Sequence, residues 1–507
     1  MWRQCRAWSA LGALVWGGLG CQVLGGIDEL SVVGAGGADG SGGAASSSVG
    51  SGASSSSSSA SGSGGGGPNT LSALWSVRFG DATTQKVSDV AVNIDGTIFV
   101  VGSFLGVLDF GPAGIITSAN DYDIFVVALD PVGKPLWARA FGGTGPDRAN
   151  CVFVGGSGGV FVGGEHTGTL ALDSSTLTSA GGLNAFVIKL LPDTGATLWG
   201  TTLGDAKDQR INAIARNPTT TNLYAVGDFE GTLKLGATTF SNLGSADVFV
   251  EEFTPQGIHV SALRGGDAAI QSATAAAIGS QDEIFVAGVF DGTIDLGSGS
   301  QPSAGGLDGF VTRIAPAPMV PWLERFGDAS MQRSNALSAN PKGGVIVAGT
   351  FEGTFDMFGK AILSQGGRDV FVASVQNDGK SAWISTFGDA DPAASVDDQE
   401  GYDVIINNAG NVFVTGYVAG SANFGSNTTT TSGDVDVFLA ALDATGKTLW
   451  STRHGGPDSQ FGRALAFASN GDIIVAGDFS GDLDFGNGTL TSAGSNDLFV
   501  AQFPQTP

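Results

Sequence analysis

The chain has 507 residues, only 14% of them charged, 82 glycines and a formal net charge of −25 at neutral pH. Such an acidic field, with no basic stripe to interrupt it, excludes nucleic acid as a partner, repels anionic lipid surfaces and attracts cations. Frequent Val, Ile, Phe and Thr, without long runs of Ala, Leu, Glu and Lys, exclude a helical bundle and point to strands and turns.

The first 21 residues, MWRQCRAWSALGALVWGGLGC, place Arg3 and Arg6 ahead of an apolar stretch. At about 14 residues that stretch is short for a membrane span and right for the core of a signal peptide. The small residues before Cys21 resemble the lipobox of bacterial lipoproteins, although Leu19 sits one place later than that family's usual leucine and Gly18 takes its position. The resemblance implies a lipid-modified Cys21 at the mature N-terminus, anchored by several acyl chains because one chain binds only marginally. Plain secretion with Cys21 incidental is the other reading. Residues 22–70 then read as a tether: the Gly/Ser run 34–67 cannot bury enough apolar surface to offset the entropy of ordering. A coil of that length spans about 30–35 Å. With Cys5 in the leader and Cys21 at its end, Cys151 is the one cysteine of the folded body, where NCVFV marks it as a small buried hydrophobe.

From Trp75 onward three patterns recur. Tryptophans stand at 75, 137, 199, 322, 383 and 450, with Ser261 in a vacant slot, in steps of 62, 62, 62, 61, 61 and 67 residues. A Gly-aromatic-Gly pattern appears as Gly102/Phe104/Gly106, Gly227/Phe229/Gly231, Gly288/Phe290/Gly292, Gly349/Phe351/Gly353 and Gly477/Phe479/Gly481, with His166 and Val418 as variant centres. An acid or amide two residues before Phe recurs as Asp123, Asn184, Asp247, Asp308, Asp369, Asp436 and Asp497. A fixed period of this size is the signature of stacked or radially repeated units.

Each unit reads as four strands. In the first, 88–94 and 97–104 meet at Asp95-Gly96, a glycine-rich excursion covers 105–120, and a second hairpin crosses DPVGK at 130–134. The repeats begin with an isolated outer strand, 74–80, and finish after a third strand, 497–503, so the first strand is expected to complete the last unit. That interlocking removes an exposed edge. The expected fold class is therefore all-β, a seven-bladed β-propeller over 71–507 closed by its N-terminal strand.

The recurrent W…FGD, G.F.G and D.FV patterns over 71–503 resemble the bacterial β-propeller repeats of the SBBP type, found in cell-surface proteins and lipoproteins. The resemblance implies a propeller outside the cytoplasm and no particular activity, since propellers host enzymes, receptors and scaffolds alike.

Several motifs reduce to architecture. DFG at 109–111 and 484–486 aligns with KLG, DLG and NFG in other units and lacks the companions of a kinase site. GGSGG around Ser157 falls in a strand-strand turn, without the strand-to-helix turn or neighbouring histidine of a nucleophile elbow. His166 and His454 occupy slots filled by Phe elsewhere. ATGKT at 444–448 has Ala441 where a phosphate-binding loop needs its first glycine. One tryptophan per unit on an outer strand suits a wedge between blades better than a sugar platform.

Two acidic features are candidate sites. The FGD pattern places Asp81, Asp205, Asp267, Asp328 and Asp389 in equivalent loops, which propeller geometry puts around the channel mouth, where they could bind a cation or amine or simply cap their own turns. The long loop 388–403 carries Asp389, Asp391, Asp397, Asp398 and Glu400, hard oxygen donors of the kind calcium (Ca2+) prefers, without the spacing of an EF-hand. The expected function is that of a non-catalytic binding or scaffolding module at the cell envelope, a monomer whose protein or glycan ligand meets the propeller face and whose only membrane contact is its anchor. The alternative is an enzyme acting on carbohydrate or another extracellular polymer through acidic residues at the mouth. A quinone-dependent dehydrogenase is disfavoured for want of a cofactor motif.

Overall fold

The computed structural model describes residues 71–506 apart from 120, 156–158, 315–320, 390–396 and 426–427. In the first unit, strands Gln85–Val92, Ile98–Phe104, Asp123–Leu129 and Pro135–Phe141 form one antiparallel sheet in chain order. Among the described residues the same arrangement recurs with first strands Asp147–Val154, Gln209–Arg216, Gln271–Ile278, Gln332–Ala339, Gln399–Ile406 and Gln460–Phe467. The fifth and sixth units are joined at one edge, where Gly388 faces Asn423 and Asp389 faces Ala422. The fourth strand of the last unit is Trp75–Phe79, with Trp75 opposite Gln502 and Arg78 opposite Phe499. Each first strand packs beside that of the next unit, and Gln460–Phe467 packs beside Gln85–Val92, so the ring closes. The molecule is a β-propeller completed by its N-terminal strand.

The second and third strands are apolar on both faces because neighbouring sheets cover both: every residue of Ile98–Phe104 and Asp123–Leu129 is buried. Phe99 and Val126 of the first unit share a core with Val162 and Phe186 of the second. Each such side chain contributes roughly 1.5–3 kcal/mol of burial.

The repeated patterns have a steric origin. A Cβ on the FGD glycine would overlap the carboxyl group of the same unit's D.FV aspartate, as Gly80 meets Asp497 and Gly142 meets Asp123, so the two patterns lock into each other. The first glycine of G.F.G lies against a first-strand carbonyl, Gly227 against that of Arg210 and Gly349 against that of Arg333. The second takes positive φ, for example 70° at Gly231 and 66° at Gly353, which a side chain resists.

The tryptophans do wedge the units together. The indole Nε1 of Trp137 donates to Pro192 O at 2.7 Å, that of Trp199 to Pro255 O at 3.2 Å and that of Trp383 to Ala444 O at 3.0 Å, each acceptor lying in the next unit's last turn. The ring faces lie against the glycines of those turns, Gly195, Gly257 and Gly446. Trp75 packs on Gly133 of the first unit, tying the two ends of the ring.

Two local expectations change. The Asp95-Gly96 signal belongs to a three-residue loop, Asn93 N–H donating to Thr97 O at 2.8 Å and Gly96 at φ 87°, so the strand runs from Gln85 to Val92 rather than 88 to 94. The glycine-rich excursion is itself a small hairpin, Val107–Asp109 against Ile115–Thr117.

Candidate functional site at the channel mouth

The loop-face aspartates bond to their own chain. Asp81 accepts from Thr83 N at 2.8 Å, Gln85 Nε2 at 2.8 Å and Val107 N at 2.7 Å. Asp205 accepts from Lys207 N, Gln209 Nε2 and Thr232 N, Asp328 from Ser330 N, Gln332 Nε2 and Thr354 N, and Asp267 from Ala269 N and Gln271 Nε2. Burial pushes the Asp81 carboxyl up, but bonds from Thr83, Val107 and Gln85 outweigh it and hold the group below its usual range. Asp389, 1% exposed, accepts from Gln399 Nε2 and Asp397 N and is pushed up by burial.

In the long loop, Arg368 bridges Asp398, at 2.6 Å, and Glu400. Asp391 lies outside the described residues, as do Ser157 and Cys21. Among the described residues no group of three or more His, Cys, Asp or Glu side chains is arranged to hold a metal ion.

The other motifs settle into packing roles. In DFG, Asp109 and Asp484 accept from Gly111 N and Gly486 N at 2.8 and 2.7 Å while Phe110 and Phe485 are buried, and Asp295 and Asn423 make the same turn in DLG and NFG. His166 packs edge-on to Phe186, and His454 lies against Phe485 and Phe503. Burial lowers both imidazoles to about 4, so they are neutral near pH 7. ATGKT is a hairpin turn with Gly446 at φ 83°.

The D.FV aspartates cap their own turns, as Asp123 does for Ala119 N and Asp369 for Gln365 N. Four also pair with an arginine two residues before the FGD-type glycine: Asp247 with Arg264, Asp308 with Arg325, Asp436 with Arg453 and Asp497 with Arg78. Asp369 faces no arginine, since Thr386 holds that place, and burial raises it to about 7.

A polar layer along the axis was missed by the sequence reading. Every first strand carries a bulge at one position, occupied by Ser88, Asn150, Asn212, Thr274, Asn335, Tyr402 or Arg463. Four of these clasp the next unit: Asn150 donates to Ile211 O, Asn212 to Ala273 O, Thr274 to Ser334 O and Asn335 to Gly401 O. Just beyond the bulge, Asp89 accepts from Val90 N and from Val152 N of the next unit, and Asp403 likewise from Val404 N and Leu465 N. These N–H groups lie on the free edges of the first strands, so the carboxyl groups face the axis. Burial raises Asp89 to about 8, helped by Asp403, and raises Asp403 to about 7. At the loop end of the same strands, Arg210 has Nε 2.8 Å from Glu165 and further nitrogens 3.3 Å from Asp228 and Asp208.

A separate cavity of about 340 Å³ opens between the second and third units, lined by Thr202, Lys234, Glu251 and His259 among others. His259 Nδ1 lies 3.3 Å from Glu251 Oε1, and burial raises Glu251 to about 7.

No family model matches the chain, and no curated protein matches it in sequence. Among solved structures it is similar to the quinohemoprotein alcohol dehydrogenase of Comamonas testosteroni, at 13% identity over 86% of this chain and 76% of that one, with a TM-score of 0.44. It is also similar to BamB from Moraxella catarrhalis, at 11% identity over 85% of this chain and 100% of that one, with a TM-score of 0.38. The quinohemoprotein alcohol dehydrogenase ADHIIG of Pseudomonas putida gives 11% identity over 86% and 76% of the two chains and a TM-score of 0.39.

Proposed function

We propose that this chain is an exported β-propeller of the SBBP type, held at the cell envelope by lipid on Cys21, that serves as a binding or scaffolding module for a protein or glycan ligand. The observation that carries the reading is the state of the loop-face carboxylates. Those of Asp81, Asp205, Asp267 and Asp328 are each tied by N–H groups of their own loop. Loops held in one shape suit a preorganised recognition surface, because ordering entropy is then not lost on binding. The leader, the Gly/Ser tether and Cys21 supply the export and anchoring half of the reading.

One observation favours the enzymatic alternative. Asp89 and Asp403 face the axis within each other's electrostatic reach, and a carboxyl group that keeps its proton near neutrality is what a general acid requires. Both readings are testable on the full chain. Cells fed an alkyne-tagged palmitate should yield a labelled, membrane-pelleting protein, and Cys21→Ser an unlabelled, soluble one; an unlabelled wild type removes the anchor. Calorimetry against a glycan panel reads binding. Release of reducing ends from any glycan, lost in Asp89→Asn and Asp403→Asn, would replace the binding reading with the enzymatic one.

A further inference from the structure

Arg333 occupies in the fifth unit the place that Arg210 holds in the third, one residue into the first strand and at its loop end. It is 8% exposed, and among the described residues its side chain makes no ion pair or hydrogen bond; its Nε is buried without a partner. A guanidinium stays protonated in proteins, and an unpaired buried charge costs several kcal/mol.

The third unit meets that cost with Glu165, Asp228 and Asp208. At the corresponding places around Arg333 stand Val289, Thr350 and Met331. Thr350, directly opposite Arg333 on the second strand, is 3% exposed and its hydroxyl also lacks a partner. Arg368 repels Arg333, and its own nitrogens are taken by Asp398 and Glu400. Glu352 and Tyr402 draw on Arg333 without pairing with it. Burial first, and Arg368 second, lower the guanidinium to about 10, the direction expected of a cation lacking a counter-charge.

We propose that Arg333 and Thr350 form an oxyanion-binding site at the channel mouth, which takes a carboxylate or phosphate group of the ligand. Arg333 offers a planar fork of donors, and the Thr350 hydroxyl adds one that turns toward the same group. A chain of net charge −25 repels anions elsewhere on its surface, so the site selects for a ligand that presents its anionic group at this point. The inference rests on the binding reading above and names the chemistry recognised.

The test is thermal melting of the purified full chain in sodium phosphate or sodium citrate, against sodium chloride at matched ionic strength. The melting midpoint should rise saturably by about 2–5 °C with at least one of the two anions. A response to phosphate alone assigns a phosphoryl group, and one to citrate alone a carboxylate. Arg333→Met should abolish the rise and melt at or above wild type in chloride, and Thr350→Val should weaken the response several-fold. Equal midpoints in all three salts, or a full response retained in Arg333→Met, overturn the site. Should Arg333→Met not fold, Thr350→Val decides, because an undiminished response there also overturns it. A flat response would leave palmitate labelling of Cys21 untouched, so the two readings fail separately.

Discussion

The third and fifth units place an arginine on the same strand at the same depth and treat it in opposite ways. Arg210 is closed in by three acids from two units, while Arg333 meets a valine, a threonine and a methionine. Their backbones are alike: Arg210 faces Asp228 and Arg333 faces Thr350 in the same register, and a glycine of the next strand lies on each carbonyl. The difference lies wholly in side chains that the repeat leaves free to vary. A closed ring thus supplies an equivalent seat in each unit, and the seats that depart from the common pattern are the ones where a specific site can be built.

The largest effect should come from making the third unit like the fifth. Asp228→Ala strips Arg210 of one partner and also releases Asn212 and Ser272, which donate to the same carboxylate at 3.2 and 2.7 Å. A loss of about 3–5 kcal/mol in urea denaturation is expected, because a buried charge is left under-compensated. Arg333→Leu at the equivalent seat should cost nothing in chloride and gain stability of about 1 kcal/mol or more. If both substitutions destabilise equally, the two arginines are not in different electrostatic states.

Next in size is a change that should not distinguish the two seats. Gly227→Ala and Gly349→Ala each drive a methyl into the backbone carbonyl of the arginine on the neighbouring first strand, Arg210 and Arg333. Each should cost about 2–4 kcal/mol, since backbone must move in both cases. Unequal costs would show that the strands differ in more than side chains.

Much of this architecture was legible because it is written in positions that backbone geometry constrains. The tryptophan step, the FGD and G.F.G glycines and the D.FV turn are demands that nearly every unit makes alike, and self-comparison exposes them together with the closing strand. The charged layer follows a different logic. Whether Arg210 is satisfied depends on Glu165 of the preceding unit, and whether Asp247 is satisfied depends on Arg264 across a hairpin. Laying the units in columns would have revealed the arginine column and its gaps at Ala140, Thr202 and Thr386, at the second of which the acid has also become Asn184. The bulge carries no such mark, because Ser, Asn, Thr, Tyr and Arg share only polarity. Asp89 and Asp403 were invisible for the same reason: the other units have cysteine or alanine at that place.

The same two units separate again on pH. Asp369 of the fifth unit, 1% exposed and without an arginine where Thr386 stands opposite Phe371, has its carboxyl raised to about 7, whereas Asp247 of the third is bonded by Arg264 Nε at 2.6 Å. A carboxyl raised above its unfolded value binds its proton more tightly when folded. The stability it contributes is whole below about pH 4 and is lost as pH rises through about 7. Asp369→Asn should therefore match wild type at pH 4, begin to exceed it by pH 5 and exceed it by at least roughly 2 kcal/mol at pH 8, read from urea midpoints at the three pH values. The second unit already uses this solution, for Asn184 caps Ala180 N at 3.2 Å beside Thr202. Asp247→Asn should instead lose stability at both pH values, because Arg264 then lacks its counter-charge.

The smallest effect concerns the seams between units. Trp199 and Trp383 each donate one indole N–H to a carbonyl of the next unit, at 3.2 and 3.0 Å, and each ring lies on a turn glycine. Replacement by Phe keeps most of the apolar contact and removes the donor, so each variant should lose about 1 kcal/mol. The loss at Trp199 should be the smaller, because Pro255 O also accepts from Lys189 Nζ at 3.1 Å and so stays partnered when the indole N–H is removed. Equal losses, or a larger one at Trp199, would mean that the Lys189 ammonium does not satisfy that carbonyl, and the two seams would then be alike in spite of the charge beside one of them.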